Sequence, residues 1–440
     1  MAHALDSYAA ERDRTARLFS TADGLGRFRD EAWRQFVTMG FPTTQLEEWR
    51  FTNVASIADG RFVLAGPPKS PLPAIDIEPF RIADAAAELV FVEGHYLPSL
   101  SRSTELARDV RVESLVHAMA AHPERPGRHL AGAASFEGRP FVALNAAFLN
   151  DGAWIELPAG SVIERPVHLL FVANGGADGP FMTHPRVIVI LGENSQVSVV
   201  ETFVGRDGMG YFTNAVTEVV VGQNARLDHY KLQYEGTDGH HVSATHVRAE
   251  RDARYASHSI SLGGALVRND LTAVLDGEGV DCTLNGLYAA DSNRLVDNHT
   301  TIDHARPHCG SREMYRGILA DRARGVFNGK IIVRPDAQKT DAKQTNRALL
   351  LSEDARINTK PQLEIFANDV KCTHGAAVGQ LDEEALFYLR SRGLGEGAAR
   401  RLLTHAFAAD VLSRMPLEAV RTRVDGWLQR QLARALPEAA

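Results

Sequence analysis

The 440-residue sequence is poor in cysteine and has no strong excess of charge of either sign. Its three cysteines, Cys282, Cys309 and Cys372, are too few and too odd a set for a disulfide framework, and they are typical of a reducing compartment. The 48 basic and 55 acidic residues leave a formal charge of −7, so the chain lacks the excess of positive charge that binding to nucleic acid or an anionic membrane requires. We therefore expect free thiols, and partners other than charged polymers.

Long apolar runs are also missing. The N-terminal stretch carries Asp6 and Glu11 and has no apolar segment of signal-peptide length. No window approaches the uninterrupted apolar length that crosses a bilayer. These features predict a cytoplasmic protein.

Common catalytic motifs are absent as well. The nearest approach to a nucleotide-binding loop is segment 325–331, GVFNGKI, which has three residues between its glycines and an isoleucine after the lysine. Segment 393–397, GLGEG, could hold an anion before a helix, but a plain turn between helices explains it better. No Gly-x-Ser-x-Gly or His-Glu-x-x-His motif occurs. The sequence gives little support to a self-sufficient hydrolase or ATPase.

Three regions of different pattern are present. Residues 5–60 have apolar positions at helical spacing, and a proline-rich linker follows near residues 66–73. Residues 140–370 lack helical periodicity and consist of β-branched runs between Gly, Asn and Asp corners. Helical spacing returns after Gly379. We predict a mainly β protein flanked by helices.

The β region contains a recurring corner. An Asn or Asp followed by a short strand start occurs at Asn194, Asn224, Asp252 and Asp354, and the first three are 30 and 28 residues apart. Asn and Asp tolerate the left-handed conformation, and a period near 30 fits one rung of a parallel β-helix. An antiparallel sandwich or barrel is the alternative, and the few Asn-Gly and Asp-Gly turns make it less attractive. The pattern favours a solenoid.

Two groups of metal-binding residue types stand out. The run 297–309, DNHTTIDHARPHC, contains His299 and Cys309 but matches no standard metal site, so we expect mainly structural roles for it. Cys372 and His374 are two residues apart and point to one face of an extended strand, where they could reach one iron or sulfur species. Lys371 would favour the thiolate if its ammonium lies close. Two ligands do not complete a four-coordinate site, so a functional pair requires another chain.

Several segments closely resemble the signature of the SufB/SufD family of iron-sulfur cluster assembly proteins. The resemblance covers nearly the whole chain in order. Within the family, the sequence resembles the SufD branch. It has Gly375 where SufB has a glutamate after the shared histidine, and it has few cysteines. The segments are 40–52 (GFPTTQLEEWRFT), 327–330 (FNGK), 338–346 (QKTDAKQTN), 370–379 (VKCTHGAAVG) and 381–393 (LDEEALFYLRSRG).

This resemblance implies a right-handed parallel β-helix flanked by helical domains. We expect an N-terminal domain of helical and mixed structure over residues 1–125, the β-helix over residues 126–375, and a C-terminal helical domain over residues 376–440. It also implies a non-catalytic scaffold subunit that pairs with SufB, with a nascent cluster formed transiently at their interface. His374 corresponds to the family's main contributing residue, and Cys372 to an accompanying cysteine with a less certain role. A flavin in the assembled complex is left open.

The resemblance further implies that two copies of the SufC ATPase dock on the C-terminal helices, and that the ATPase activity of the complex belongs to SufC. It also implies indirect contact with a cysteine desulfurase. A homodimer is conceivable without SufB, because a solenoid has exposed edges. The expected docking residues are Glu384, Phe387, Tyr388, Arg390 and Arg392.

Two alternatives stay open at this point. The chain could be a SufB-like paralogue that acts as the primary scaffold. It could also be a carbohydrate-acting β-helix enzyme, although clustered carboxylates on an exposed sheet and a secretion signal are not evident.

Overall fold

Long parallel strands dominate the computed structural model, which describes residues 2–16, 25–68, 76–104, 106–175 and 179–436. The predicted linker near residues 66–73 therefore lies partly outside the described residues. The helices are α1 Ala2–Ala16, α2 Gly26–Met39, α3 Ala55–Ala58, α4 Leu115–Ala121, α5 Glu124–Gly127, α6 Pro140–Ala147, α7 Glu383–Ser391, α8 Glu396–Leu412 and α9 Glu418–Ala435. None of the described helices is both long and apolar enough to cross a membrane.

The strands form two sheets. They are β1 Val63–Leu64, β2 Ala87–Val92, β3 His95–Tyr96, β4 Arg102–Ser103, β5 Arg111–Ser114, β6 Gly152–Leu157, β7 Val167–Ala173, β8 Phe181–Thr183, β9 Arg186–Leu191, β10 Gln196–Gly205, β11 Tyr211–Val221, β12 Arg226–Tyr234, β13 Gly239–Ala249, β14 Arg254–Leu262, β15 Leu266–Leu275, β16 Asp281–Ala290, β17 Leu295–His304, β18 Gly310–Leu319, β19 Arg324–Val333, β20 Asp341–Leu350, β21 Arg356–Ile365 and β22 Lys371–Gly379.

From β9 to β22, successive strands alternate between the two sheets. Sheet A has the order β21-β19-β17-β15-β13-β11-β9-β6-β5, and sheet B has the order β22-β20-β18-β16-β14-β12-β10-β7-β2-β3. From β9 to β22 the pairings within both sheets are parallel, and the antiparallel pairings of β3, β4 and β5 lie at the N-terminal end. The chain is thus a β-solenoid. The solenoid prediction is confirmed, and the antiparallel sandwich is wrong.

The corners have the geometry that their residue types predict. Asn194, Asn224 and Asp252 have φ angles of 58°, 54° and 56°, and the Asn224 side-chain amide donates to Asn194 Oδ1 at 2.7 Å. The register shifts by 30 residues between Gln196 and Arg226 and by 28 between Arg226 and Arg254. Asp354 does not adopt a positive φ. The Asn and Asp pattern therefore identifies real corners but does not apply to the last one.

Asn224 offers a direct test of this corner geometry. Asn224→Ala should lower the free energy of unfolding by about 1–2 kcal/mol, because a Cβ-bearing residue without a local polar contact is strained in the left-handed region. Asn224→Gly should cost less, since glycine adopts this φ without strain. Urea denaturation of both variants measures the difference, and equal losses would contradict the argument.

Apolar side chains fill the solenoid and also cover both of its outer faces. Inside, Phe171 stacks between Phe91 and Phe203, with ring centroids 4.9 and 4.8 Å apart. The N-terminal helices pack on the outer face of sheet A, in a cluster that includes Trp49. Helices α8 and α9 pack on the outer face of sheet B through residues such as Trp427. Burial on both faces explains the continuous β-branched runs of the sequence.

The predicted elements outside the solenoid can be located as well. On the N-terminal side, β2 pairs in parallel with β7 of sheet B. The predicted C-terminal helices are α7, α8 and α9, and the Asp382 side chain caps α7 by accepting from the backbone N–H groups of Glu384 and Ala385. The division of the chain into three domains stays a prediction.

Candidate functional site

The C-terminal end of the solenoid holds Cys372 and His374 side by side on β22. In the register with β20, Cys372 pairs with Ala342 and His374 with Gln344. Ala342 and Gln344 are 0% and 2% exposed, inside the solenoid. Side chains alternate along a strand, so Cys372 and His374 share the interior-facing side of β22, as their spacing predicts.

These two side chains face inward but remain accessible. Strand β22 is the last strand of sheet B, and among the described residues no further strand stacks on it. Cys372 is therefore only half-buried, and His374 is exposed. Val378, also on this side, is 48% exposed. We call this exposed inner surface of the last rung, formed by β21 and β22, the open end.

The thiol of Cys372 lies in surroundings that favour its protonated form. Partial burial raises its pKa, with a further contribution from the charge of Asp341. Lys371 is the neighbouring residue in the strand, so its side chain points to the opposite face, and it does not contribute to this shift. The expectation that Lys371 could favour the thiolate is therefore not met in this chain.

A polar floor lies beneath His374. Gln344 donates through Nε2 to Glu313 Oε2 at 2.7 Å, and Glu313 pairs with Gln344 in the register of β18 and β20. Burial raises the pKa of Glu313 to about 7, against the lowering effect of its hydrogen bonds. The other side-chain oxygens of Gln344 and Glu313 have no partner among the described residues. The interior is thus polar beneath His374. In the sequence, the alternation of residues along β18 and β20 is the signal that could have placed Glu313 and Gln344 in the interior.

The predicted docking residues lie on α7 and the turn after it, beyond the open end. All five are exposed, namely Glu384, Phe387, Tyr388, Arg390 and Arg392. Phe387 is 75% exposed and Tyr388 57%, and the Arg392 guanidinium lies 5.2 Å from the Tyr388 ring centroid. Leu386 is only 5% exposed. Helix α7 therefore uses Leu386 for packing and presents Phe387 and Tyr388 to solvent.

The histidine-rich run 297–309 does not form a metal centre. His299 Nε2 lies 3.0 Å from Asp297 Oδ1, and its Nδ1 lies 3.3 Å from Glu48 Oε2. His304 is buried and lies within hydrogen-bond distance of Ser311, and the Cys309 thiol donates to the Gly277 carbonyl at 3.2 Å. Within the described ranges, no group of three or more His, Cys, Asp or Glu side chains is arranged to hold a metal ion. His299, His304 and Cys309 therefore make structural contacts, with the N-terminal segment in the case of Glu48 and within the solenoid in the case of Ser311 and Gly277.

His299 makes stability depend on pH. Burial alone would lower its pKa, but Asp297 and Glu48 outweigh that effect and raise the pKa to about 9. The pKa values of Asp297 and Glu48 are lowered and that of Arg268 is raised, so these neighbours stay charged at neutral and mildly alkaline pH. A raised pKa in the folded state stabilises the protein below pH 6.5, and the contribution is lost as the pH rises through 9.

We expect the free energy of unfolding to fall by about 3 kcal/mol between pH 6.5 and 9.5 because of His299, at about 1.4 kcal/mol per pKa unit. His299→Gln should flatten this part of the pH profile. Urea denaturation at pH 6.5, 8 and 9.5 compares the two proteins. Parallel profiles for wild type and variant would show that His299 is not the responsible group.

Known protein families match this chain over most of its length. A family model described as "SUF system FeS cluster assembly, SufBD core domain" matches residues 171–407, and one described as "SufBD protein N-terminal region" matches residues 5–169. The chain belongs to the SufBD family. Its members are iron-sulfur cluster assembly proteins, and the core-domain match contains the open end, α7 and most of α8, and it ends before α9.

Individual relatives place the chain close to SufD. It is 33% identical to the iron-sulfur cluster assembly protein SufD of Escherichia coli over 392 residues, which cover 89% of each chain. It is 33% identical to the iron-sulfur cluster assembly SufBD family protein slr0076 of Synechocystis sp. over 396 residues, 88% of this chain and 86% of the relative. The SufD protein of Bacillus subtilis is 26% identical over 401 residues. The SufBD resemblance seen in the sequence is confirmed.

Proposed function

We propose that this chain is the SufD-type scaffold subunit of an iron-sulfur cluster assembly complex. It pairs with a SufB subunit through the open end, and iron and sulfide are assembled into a cluster at that interface. The chain itself catalyses no reaction. The observation that carries the proposal is that His374 faces the interior side of the last rung and yet is exposed, so that a second chain can complete its surroundings.

His374 supplies the principal ligand in this proposal. A neutral imidazole is a good ligand for iron. Because the His374 ring is exposed, it can bind an iron ion whose other ligands come from the partner. Cys372, on the same side of the strand, contributes to a smaller extent, because burial keeps its thiol protonated. Two side chains leave at least two coordination positions for the partner.

The SufC-type ATPase docks on α7 in this proposal. Phe387 and Tyr388 provide an exposed aromatic surface, and Glu384, Arg390 and Arg392 provide charges around it. Aromatic and arginine side chains are frequent at the centres of protein interfaces. Since α7 directly follows β22, movement of a docked ATPase pair can be transmitted to the open end and change access to the cluster site.

Anaerobic reconstitution with iron and sulfide tests the proposal. The heterodimer with wild-type His374 should form a cluster, and the heterodimer with His374→Ala should not. If the chain forms a cluster equally well without SufB, the SufB-like alternative is correct instead. Polysaccharide cleavage by the purified chain would support the carbohydrate-acting alternative.

A further inference from the structure

A roofed cavity lies on the outer face of sheet A, away from the open end. Its roof consists of segments 48–49 and 138–142, and its floor is formed by strands β13, β15, β17 and β19. The cavity has a volume of about 220 Å³, and a neighbouring cavity of about 400 Å³ shares Glu48, His299 and Asn328 with it. The space is large enough for a small organic molecule.

The floor is a regular grid of polar side chains. In the sheet register, Ala244, Asp270, His299 and Asn328 form one row across the four strands. Neighbouring strands are about 4.8 Å apart, so the side chains of a row are evenly spaced. A second row lies two residues further along each strand and consists of His246, Thr272, Thr301 and Lys330. The grid thus presents imidazole, carboxylate, hydroxyl, amide and ammonium groups to one space.

The charge of the lining favours an anion. Arg268 donates to Asp270 and Asp297, so its charge is already compensated. Arg139 differs, since its guanidinium donates to the Ser135 carbonyl at 2.9 Å, and it has no carboxylate within 4.0 Å among the described residues. Lys330 lies 3.4 Å from Glu364 in a partly exposed pair, which is weak. Arg139 and Lys330 therefore remain available to an acidic group.

Two buried polar groups of the lining lack partners. His246 is 4% exposed and its Nε2 has no hydrogen-bond partner among the described residues. Burial, with the charges of Arg139 and Arg186, lowers the pKa of His246 to about 3, so its ring is neutral. Asn328 is 7% exposed, and its Oδ1 likewise has no partner in the described part of the chain. An unsatisfied buried polar atom costs about 1–3 kcal/mol, which a polar ligand can recover.

The opposite side of the cavity is apolar. It is lined by Trp49, Phe141 and Val142. The Trp49 and Phe141 ring centroids are 5.3 Å apart, and the Arg268 guanidinium lies 3.9 Å from the Trp49 ring centroid, so Trp49 packs between the two. One side of the cavity therefore suits an apolar body, and the other suits an acidic group.

We propose that this cavity is a binding site for a small organic anion, whose acidic group contacts Arg139 and Lys330 and whose apolar body lies against Trp49 and Phe141. The site is separate from the cluster interface and does not depend on it. Small-molecule sites in proteins have this combination of an apolar wall and a few converging polar groups.

Calorimetric titration of the full-length protein with four probes tests the proposal. Phenyl phosphate carries both features, inorganic phosphate only the charge, phenol only the ring, and benzylamine the opposite charge. We expect phenyl phosphate to bind at least tenfold more tightly than each of the others. Arg139→Gln should weaken its binding about tenfold or more, which corresponds to one lost charged hydrogen bond.

Two controls accompany this experiment. Arg128→Gln removes an exposed arginine that precedes this segment in the chain and does not line the cavity, and it should bind phenyl phosphate as the wild type does. Thermal melting without probe confirms that Arg139→Gln is folded. The proposal fails if phenyl phosphate binds no better than benzylamine, or if Arg139→Gln and wild type bind it equally.

Discussion

His374→Ala should abolish cluster formation by the reconstituted heterodimer while leaving the complex intact. Loss of an outer-shell partner at a metal site typically lowers affinity 10–100-fold, so loss of a direct ligand should lower it by about 100-fold or more. The ring of His374 is exposed and makes no hydrogen bond or ion pair within the described part of the chain. Its removal should therefore not destabilise the fold. Visible absorbance after anaerobic reconstitution measures the cluster, and gel filtration measures the complex.

Strand β22 offers matched controls for this substitution. Thr373 is the neighbouring residue and points to the other face, so Thr373→Ala should form the cluster normally. Cys372→Ala should reduce the yield less than His374→Ala does, because its thiol is half-buried and held protonated. If His374→Ala supports normal cluster maturation in cells, His374 is not a required ligand.

Phe387→Asp should eliminate co-purification of the ATPase. Phe387 is 75% exposed at the middle of α7, and buried aromatic residues at interface centres commonly contribute 2 kcal/mol or more to binding. Placing a carboxylate there adds the cost of burying a charge, so affinity should fall by about 100-fold or more. An affinity-tagged chain co-expressed with the ATPase gives the measurement, with the ATPase quantified in the eluate.

Structural damage must be separated from loss of docking in this experiment. Val162 is 58% exposed at the opposite end of the solenoid, and Val162→Asp should leave co-purification unchanged. Deletion of residues 381–440 is a less specific test, since α8 and α9 cover apolar residues of sheet B. Unchanged recovery of the ATPase with a folded Phe387→Asp protein would show that it docks elsewhere.

The solenoid could be predicted because its rules are local. Asn194, Asn224 and Asp252 repeat where each rung turns, and each residue type tolerates the conformation that its corner needs. Every rung stacks on its neighbours in the same way, so a repeating pattern in the chain corresponds to a repeating structure. Asp354 is an exception to this rule. It has the residue type of the other corners, but its φ angle is not positive.

The contacts of the N-terminal segment could not be predicted. Glu48 meets His299, and Thr52 donates to Asp297 at 2.5 Å, although these partners are about 250 residues apart in the chain. Such contacts depend on how the segment packs over sheet A, and no local spacing encodes that packing. The cavity with Arg139 arises in the same way, from elements that are distant in sequence.

For Cys372 and His374, the order of residues was enough to place both side chains on one face of a strand, because alternation is a property of any extended backbone. It was also enough to identify the family. Only the tertiary structure decided that this face is the solenoid interior and that it stays accessible. The reason is that β22 is the last strand of its sheet, so the inward side chains that a further rung would bury in the middle of the solenoid are exposed at its end.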